Sequence, residues 1–554
     1  MKWVAVLLSA ALIVALPLLF HRERGAAPSS GGGLELVVIT PHNESIRDEF
    51  GAAFSAWHER RFGKPVRLDW RVIGGTTEIM RYLESEYQAS AKACCRDAAA
   101  RGERLSREAA MALDDPSKVT CRMDVFFGGG VFDHEKAERL GLTVPAWPDG
   151  EEPPGLFRDD SGREVIPRTL NGEVWRGKAF YGNVLSLFGI CYNSDRLRDL
   201  GIGRPPASWN DLADPQYFGA VGLSDPTKSG SVAKAFDLIL QTQCARAVKA
   251  AGITKEQVAA YEAELARAKH DRAEGGVVPE TYVRAVAAGW LDGVRLIQRI
   301  GANALYFTSS SGKVPVDVGT GAVAAGLAID FFGRMQAEQS TLPNGREVMA
   351  YVTPLGESGV TADPVSLLRG APHRKLGERF LEFVLSRDGQ KLWCFKPGTP
   401  GGPLRKALRR LPIRREFYRS GDPAADAFCE SVRPYYADPL DRPEADAYHL
   451  GDAFVGAPRW TGRHFSIQRD LIRAMCMDSG DELKRAWRRI LQTGGPGKNP
   501  AAMRLLQAMP ADPVPLTWES AVREYAAVPR LERLARWTAF FRRQYNLAYE
   551  AAGR

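Results

Sequence analysis

From residue 34 to residue 393, short apolar runs alternate with amphipathic stretches. LELVVIT (34–40), RLDWRVI (67–73) and CRMDVFFGGG (121–130) have the length and composition of strands. Each ends in a polar or glycine-rich turn: PHNES, Gly74-Gly75-Thr76-Thr77 and Gly128-Gly129-Gly130. Between them the spacing predicts a helix from about Ser45, carrying Phe50, Phe54 and Trp57, and another through Ile79 and Leu83. The polar, Ala-rich stretch 88–120 is expected to be an insertion. NVLSLFGICYN (183–193) is predicted as one long strand and VMAYVTP (348–354) as another. Residues 361–393 predict an apolar strand, a Gly-Ala-Pro turn and a helix with Leu376, Phe380, Leu381, Phe383 and Val384 on one face. Beyond about Leu404, helical patterns at 472–477, 483–491 and 521–543 alternate with Pro and Gly breaks.

Strands alternating with helices predict an α/β fold with largely parallel sheets, whose ligands meet the carboxyl ends of strands. The simplest arrangement has two α/β lobes, with the chain crossing between them near 185–190 and 348–354. The expected divisions are 1–33 (targeting segment and tether), 34–187 (lobe 1, with the insertion 88–120) and 188–350 (lobe 2). Residues 351–403 return to lobe 1, and 404–554 form a mostly helical C-terminal extension. A length of 554 residues fits several domains.

The N-terminus changes the picture of where the chain works. Met1-Lys2 precedes an apolar run (3–20) broken by Ser9 and Pro17, followed by His21, Arg22, Glu23 and Arg24. A cleaved signal peptide and a retained signal-anchor both fit, and both place the body outside the cytoplasm. AAPSSGGG (26–33) fits a flexible tether, so membrane association through this segment is expected if it is retained. Eight cysteines in an exported chain are compatible with disulfides, and Cys94 or Cys95 to Cys121 is the best local pairing. The net charge of +8 lies in the extension, where 401–554 hold 26 Lys+Arg against 18 Asp+Glu. This excess is diffuse and lacks a nucleic-acid motif, so no nucleic-acid partner is expected and a solvated Arg-rich helical surface is. G-x-S-x-G, Walker A, H-E-x-x-H and dinucleotide signatures are absent, so neither an enzyme nor a cofactor is expected.

VVITPHNES, IGGTTEIM, DVFFGGG, SLFGICYN, SWNDLADPQYFGAVGLSDPTKSGS, GTGAVAAGLAIDFFG and the closing strand and helix occur in one order. In that order the chain resembles the extracellular solute-binding proteins of bacterial ABC importers, of the type II periplasmic-binding-protein fold. It is most similar to the branch holding ferric-ion, sugar-phosphate and phosphonate binders. The resemblance implies a periplasmic protein that closes two lobes over a small solute and delivers it to ABC permease subunits.

Candidate ligand residues lie at the strand ends. Ser224 to Ser231 (SDPTKSGS) follows a strand and opens a helix, so Thr227, Ser229, Gly230 and Ser231 offer hydroxyls and free N–H groups to an anion. Gly75, Thr76 and Thr77 make the same offer from the other lobe, and Gly129 and Gly130 allow close backbone approach. Thr40, His42 and Asn43 sit at the end of the first strand, where the ferric branch places an iron-binding His. That branch carries adjacent tyrosines where this chain has Phe331-Phe332, which offer no oxygen to Fe(III), so no metal is expected. Asp330 beside them is a candidate acceptor for a solute hydroxyl or amine. An anionic solute is therefore expected, phosphorylated or phosphonate-like, with ferric iron, or a membrane-tethered sensor or enzyme on the same fold, as the alternatives.

Overall fold

A computed structural model describes residues 33–113, 115–148, 150–267, 278–440 and 445–553. The predicted targeting segment and its tether lie outside the described residues, apart from Gly33. Two sheets form the frame. The first contains β1 (Leu34–Ile39), β2 (Val66–Arg71), β3 (Val125–Phe127), β4 (Thr143–Val144), β7 (Tyr181–Ser186), β13 (Thr361–Leu368) and β14 (Leu411–Pro412). A small hairpin of β5 (Thr169–Leu170) and β6 (Glu173–Val174) stands apart. The second sheet contains β8 (Phe188–Asn193), β9 (Val221–Ser224), β10 (Ala304–Thr308), β11 (Ala325–Ile329) and β12 (Met349–Val352).

The strand orders are β14-β7-β13-β3-β1-β2, with β4 beside β13, and β10-β9-β11-β8-β12. β1 runs parallel to β2 and β3, and β9 runs parallel to β10 and β11. β13 lies antiparallel to both β3 and β7, and β8 lies antiparallel to both β11 and β12. Each sheet thus holds three parallel strands plus an antiparallel strand that arrives from the other lobe. The single strand predicted over 183–193 is two strands, separated by Leu187, in two different sheets. Ser186, Leu187 and Phe188 are all buried, so no exposed residue marks the break between the two strands, which falls within the 185–190 expected for the crossing.

Helices cover both sheets. α1 (Glu44–Phe62) begins with Asn43, whose Oδ1 accepts from Ile46 N at 3.1 Å. α2 (Thr76–Ala100) runs on into the segment expected as an insertion, burying Tyr87, Ala91 and Ala98. Cys121 packs there at 3.4 Å from Tyr87 Oη, and all eight cysteines are free. The expected bridge from Cys94 or Cys95 to Cys121 is not formed. Those two residues are half-buried on a continuous helix, and Cys121 faces the phenol instead.

After α3 (Val131–Arg139), α4 (Gly230–Ala250), α5 (Glu280–Asn303) and α6 (Asp330–Gln339), the chain re-enters the first lobe through β13. The helix expected after it is two, α7 (Arg374–Leu385) and α8 (Arg387–Cys394), because Ser386 breaks it and caps Gly389 N. Their apolar faces meet α1 in an aromatic cluster: Phe50 to Trp393 is 4.3 Å and Phe54 to Phe380 is 5.1 Å between ring centroids.

The extension packs on both lobes. Leu404, Arg405 and Lys406 donate backbone N–H groups to Glu49 of α1 at 2.5, 2.7 and 3.1 Å, and β14 pairs with β7. The later part, with α9 (Phe465–Ile472), α10 (Gly480–Gln492) and α11 (Arg530–Ala551), sits on lobe 2. There Trp487 Nε1 bonds Asn303 Oδ1 at 2.8 Å, and Gln298 Nε2 bonds Tyr545 Oη at 2.9 Å. The expected solvated arginine surface is present, with Arg485, Arg488, Arg489, Arg536, Arg542 and Arg543 exposed on helices of the extension, but Arg410, Arg414 and Arg533 depart from it at 1%, 4% and 7% exposure. Asp363, Glu416 and Asp470 respectively accept their charge. No helix among the described residues is long and apolar enough to cross a membrane.

Candidate functional site

A cavity of about 210 Å³ lies where the two sheets face each other. Lobe 1 contributes Gly129, Gly130 and Asp133, lobe 2 contributes Gly230, Ser231 and Lys234, and the crossing strands contribute Phe188, Thr361 and Asp363. The extension supplies a further wall with Phe454, Thr461, Phe465 and Arg469. A larger hollow of about 1050 Å³ shares Asn171, Gly172 and Pro458 with it. That hollow lies between helices of lobe 2 and the extension, away from the glycine turns at the strand ends, so the smaller cavity is the better candidate site.

Three helices begin around this cavity. Gly130 and Gly75 precede α3 and α2 without a side-chain cap, leaving first-turn N–H groups available. Ser229 caps Val232 N of α4, while Gly230 and Ser231 stay on the cavity wall. The lobes touch: a Cβ on Gly75 would stand 3.0 Å from Lys228 O, and one on Gly230 would stand 3.7 Å from Thr76 Oγ1 and 3.6 Å from Asp133 Oδ2. Gly128 and Gly129 turn the chain with φ of 88° and 106°, and a Cβ on Gly129 would come within 2.5 Å of Thr76 Cγ2.

The cavity lining carries more acid than base, with Asp133, Glu135, Glu173, Asp237 and Asp363 against Lys234 and Arg469. Lys234 lies 3.3 Å from Glu173 and 3.4 Å from Asp237. Burial opposes its charge, but those carboxylates outweigh burial and raise its pKa. Asp237 also accepts from Gln241 and Gln468 at 3.1 and 3.2 Å. Burial pushes the Asp133 carboxyl up to about 6, against the pull of Arg469 and Lys136.

Of the predicted ligand residues, the structure brings Gly129, Gly130, Gly230 and Ser231 onto the cavity, with Gly75, Thr76 and Thr77 beside them. Others hold the backbone. Thr40 Oγ1 donates to Phe127 O at 2.7 Å, and Asn43 caps α1. Thr227 Oγ1 donates to Asp225 at 2.6 Å, and Ser229 caps α4. His42 and Asp330 fall outside the cavity lining, in a second buried cluster with Arg410. There His42 Nε2, both Asp330 carboxylate oxygens, and Arg410 Nε and Nη1 have no hydrogen-bond partner within the protein. Burial lowers the His42 pKa well below its usual value, helped by Arg410 and Arg47, and raises the Asp330 carboxyl to about 6. Among the described residues, no three His, Cys, Asp or Glu side chains cluster to hold a metal ion. Sequence reasoning missed Asp133, Lys234 and Arg469; the first two follow glycine turns by a few residues, but nothing local marks Arg469.

The family model described as bacterial extracellular solute-binding protein matches residues 166–288. An uncharacterized protein of Haemophilus influenzae is 27% identical over 127 residues, 23% of this chain and 34% of that protein, so the match spans about a third of that relative. The chain is similar to the periplasmic binding protein AfuA from Actinobacillus pleuropneumoniae, solved with exogenous fructose-6-phosphate (16% identity, TM-score 0.44, 76% of this chain and 95% of that one). It is also similar to iron-bound HitA from Pseudomonas aeruginosa (15%, 0.41, 79% and 99%). A third likeness is the spermidine/putrescine ABC transporter substrate-binding protein PotD from Streptococcus pneumoniae (13%, 0.44, 80% and 100%). Those names cover a sugar phosphate, iron and polyamines, and so point to no one solute here. The exchanged antiparallel strand in each sheet gives the chain the type II periplasmic-binding-protein fold, and the segment 166–288 makes it similar to bacterial extracellular solute-binding proteins.

Proposed function

We propose that this chain is the extracytoplasmic solute-binding component of an ABC importer, and that its solute carries an anionic group, phosphorylated or phosphonate-like. The observation that carries this reading is the meeting of helix N-termini from both lobes, at Thr76, Val131 and Gly230, around one cavity. Unpaired N–H groups there and the positive ends of the helix dipoles favour an anion. Capture needs no catalysis: N–H groups from both lobes replace the solute's water only when the lobes are closed. Thr76, Thr77, Gly129, Gly130, Gly230 and Ser231 form the binding set, with Gly75 beside them; Thr40, Asn43, Thr227 and Ser229 hold it in shape. Permease subunits are the partner that receives the solute. The N-terminal segment holds the protein at the inner membrane if it is retained.

Asp133 stands at the same meeting point and supplies negative charge in the unliganded cavity. A solute anion takes its place or binds beside its protonated form. Native mass spectrometry of the protein as purified, followed by thermal-shift screening with phosphate, phosphonates and ferric salts, tests the reading. Stabilisation by phosphate or phosphonate is expected. Stabilisation by ferric salts or by cations alone would sink it.

A further inference from the structure

Arg469 belongs to α9 of the extension, yet it reaches both lobes. Its Nε donates to Pro226 O at 2.6 Å, in the loop leading into α4, and its Nη2 donates to Thr77 Oγ1 at 3.2 Å, in the first turn of α2. The helix that carries it is fixed on either side. Phe465 packs on Phe132 of α3 at 5.0 Å, and Asp470 is held by Arg530 and Arg533 at 2.8 and 2.9 Å. Arg469 lines the cavity with Asp133, Gly230 and Ser231. Among the described residues, its Nη1 has no hydrogen bond or ion pair. A guanidinium held through two of its nitrogens keeps its plane, so the third nitrogen is pre-oriented for a ligand oxygen.

We propose that Arg469 is a solute-binding residue, donating from Nη1 to an anionic oxygen of the solute while Nε and Nη2 each hold one lobe. The extension is then part of the binding site, and the anion at the helix N-termini gains a full positive charge as its partner. This rests on the anionic reading of the cavity given above. Asp133 is the charge partner of Arg469 before the solute arrives.

The test is titration calorimetry on the full chain with two probes, inorganic phosphate and a hexose phosphate, which separate free phosphate from a phosphorylated organic solute. Arg469→Ala should weaken the bound probe by about tenfold or more. Arg469→Lys, which keeps the charge but not the fork, should fall between the two. The parent's affinity should also drop more steeply with added salt than that of Arg469→Ala, a change that a merely structural residue would not produce. If Arg469→Ala does not fold by circular dichroism, Arg469→Lys and Arg469→Gln decide. Parent-like affinity and salt dependence in the folded variants would overturn the role of Arg469 and leave the anionic reading standing. Failure of the parent to bind either probe would overturn both.

Discussion

The guanidinium carbon of Arg410 stands 4.6 Å from the ring centroid of Phe331, and its Nη2 bonds Asp363 at 2.6 Å. One residue of the extension therefore touches the aromatic pair of lobe 2 and the return strand of lobe 1, with Trp393 at 5.4 Å behind it. The Phe331 ring favours a cation over its face. The same packing seals the neighbourhood of His42 and Asp330.

Removing this guanidinium should be costly. Arg410→Ala removes the cation from the Asp363 carboxylate, which keeps a 3.1 Å bond from Ser186 Oγ, and a broken buried pair costs about 3–5 kcal/mol. Urea denaturation should show that loss, with Arg410→Met retaining more stability through its apolar stem. A loss under about 1 kcal/mol would show that the pair contributes little.

Asp330 makes stability depend on pH in a defined direction. Its folded pKa of about 6 lies above the usual 3.8, so its contribution is complete at low pH and is lost as pH rises through about 6. A two-unit difference corresponds to about 3 kcal/mol. The groups acting on it are Arg334, Arg410 and Asp363. His42, His134 and His464 slope the other way, because burial lowers their pKa values and they lose stability as pH falls. The comparison that isolates the carboxyl is therefore Asp330→Asn against the parent. The variant should gain relative stability between about pH 4 and about pH 6 and no more above that, and parallel pH profiles would refute the assignment.

Asp133 should act as a competitor for anions. Its carboxyl, raised to about 6 by burial, is neutralised as pH falls from 7 to 5. Asp133→Asn should bind phosphate more tightly than the parent at pH 7, and that advantage should shrink towards pH 5, the titration of phosphate itself being common to both proteins. Equal affinity in both proteins would mean that the carboxylate does not face the bound anion.

Ser231 tests the helix N-terminus of α4 directly. Ser231→Asp places like charge in the anion position on a half-buried wall residue, so phosphate binding should disappear while the melting temperature shifts by only a few degrees. Unchanged affinity would remove α4 from the site.

Much of the frame was legible because buried strands of parallel sheets are continuous apolar runs. β1 and β3 fall on LELVVIT and DVFFGGG, the half-exposed β2 falls on RLDWRVI, and β13 begins at Thr361, four residues before the apolar run Val365–Leu368 that predicts it. The same continuity concealed only that 183–193 is two strands and not one, since Leu187 and Phe188 keep the run apolar across the break, which itself falls within the 185–190 expected for the crossing. Glycine turns marked Gly129, Gly130 and Gly230. His42 and Asp330 carry ligand chemistry in sequence, but tertiary packing moves them into a sealed cluster. Arg410 and Arg469 were invisible for another reason: an arginine in a basic, helical tail has the same local pattern whether it is solvated or reaches a cleft.

The three N–H groups of Leu404, Arg405 and Lys406 that close on Glu49 join parts of the chain 355 to 357 residues apart. In kinetic terms this makes the first lobe a late product. α1 can form early from local contacts, but its buried carboxylate stays without donors until a segment after the second lobe arrives. Contacts of such long sequence separation slow folding, because loop-closure entropy is lost before they form. The first lobe thus completes the satisfaction of Glu49 only with a segment after the second, and a chain cut just before Leu404 would lose all three of these donors.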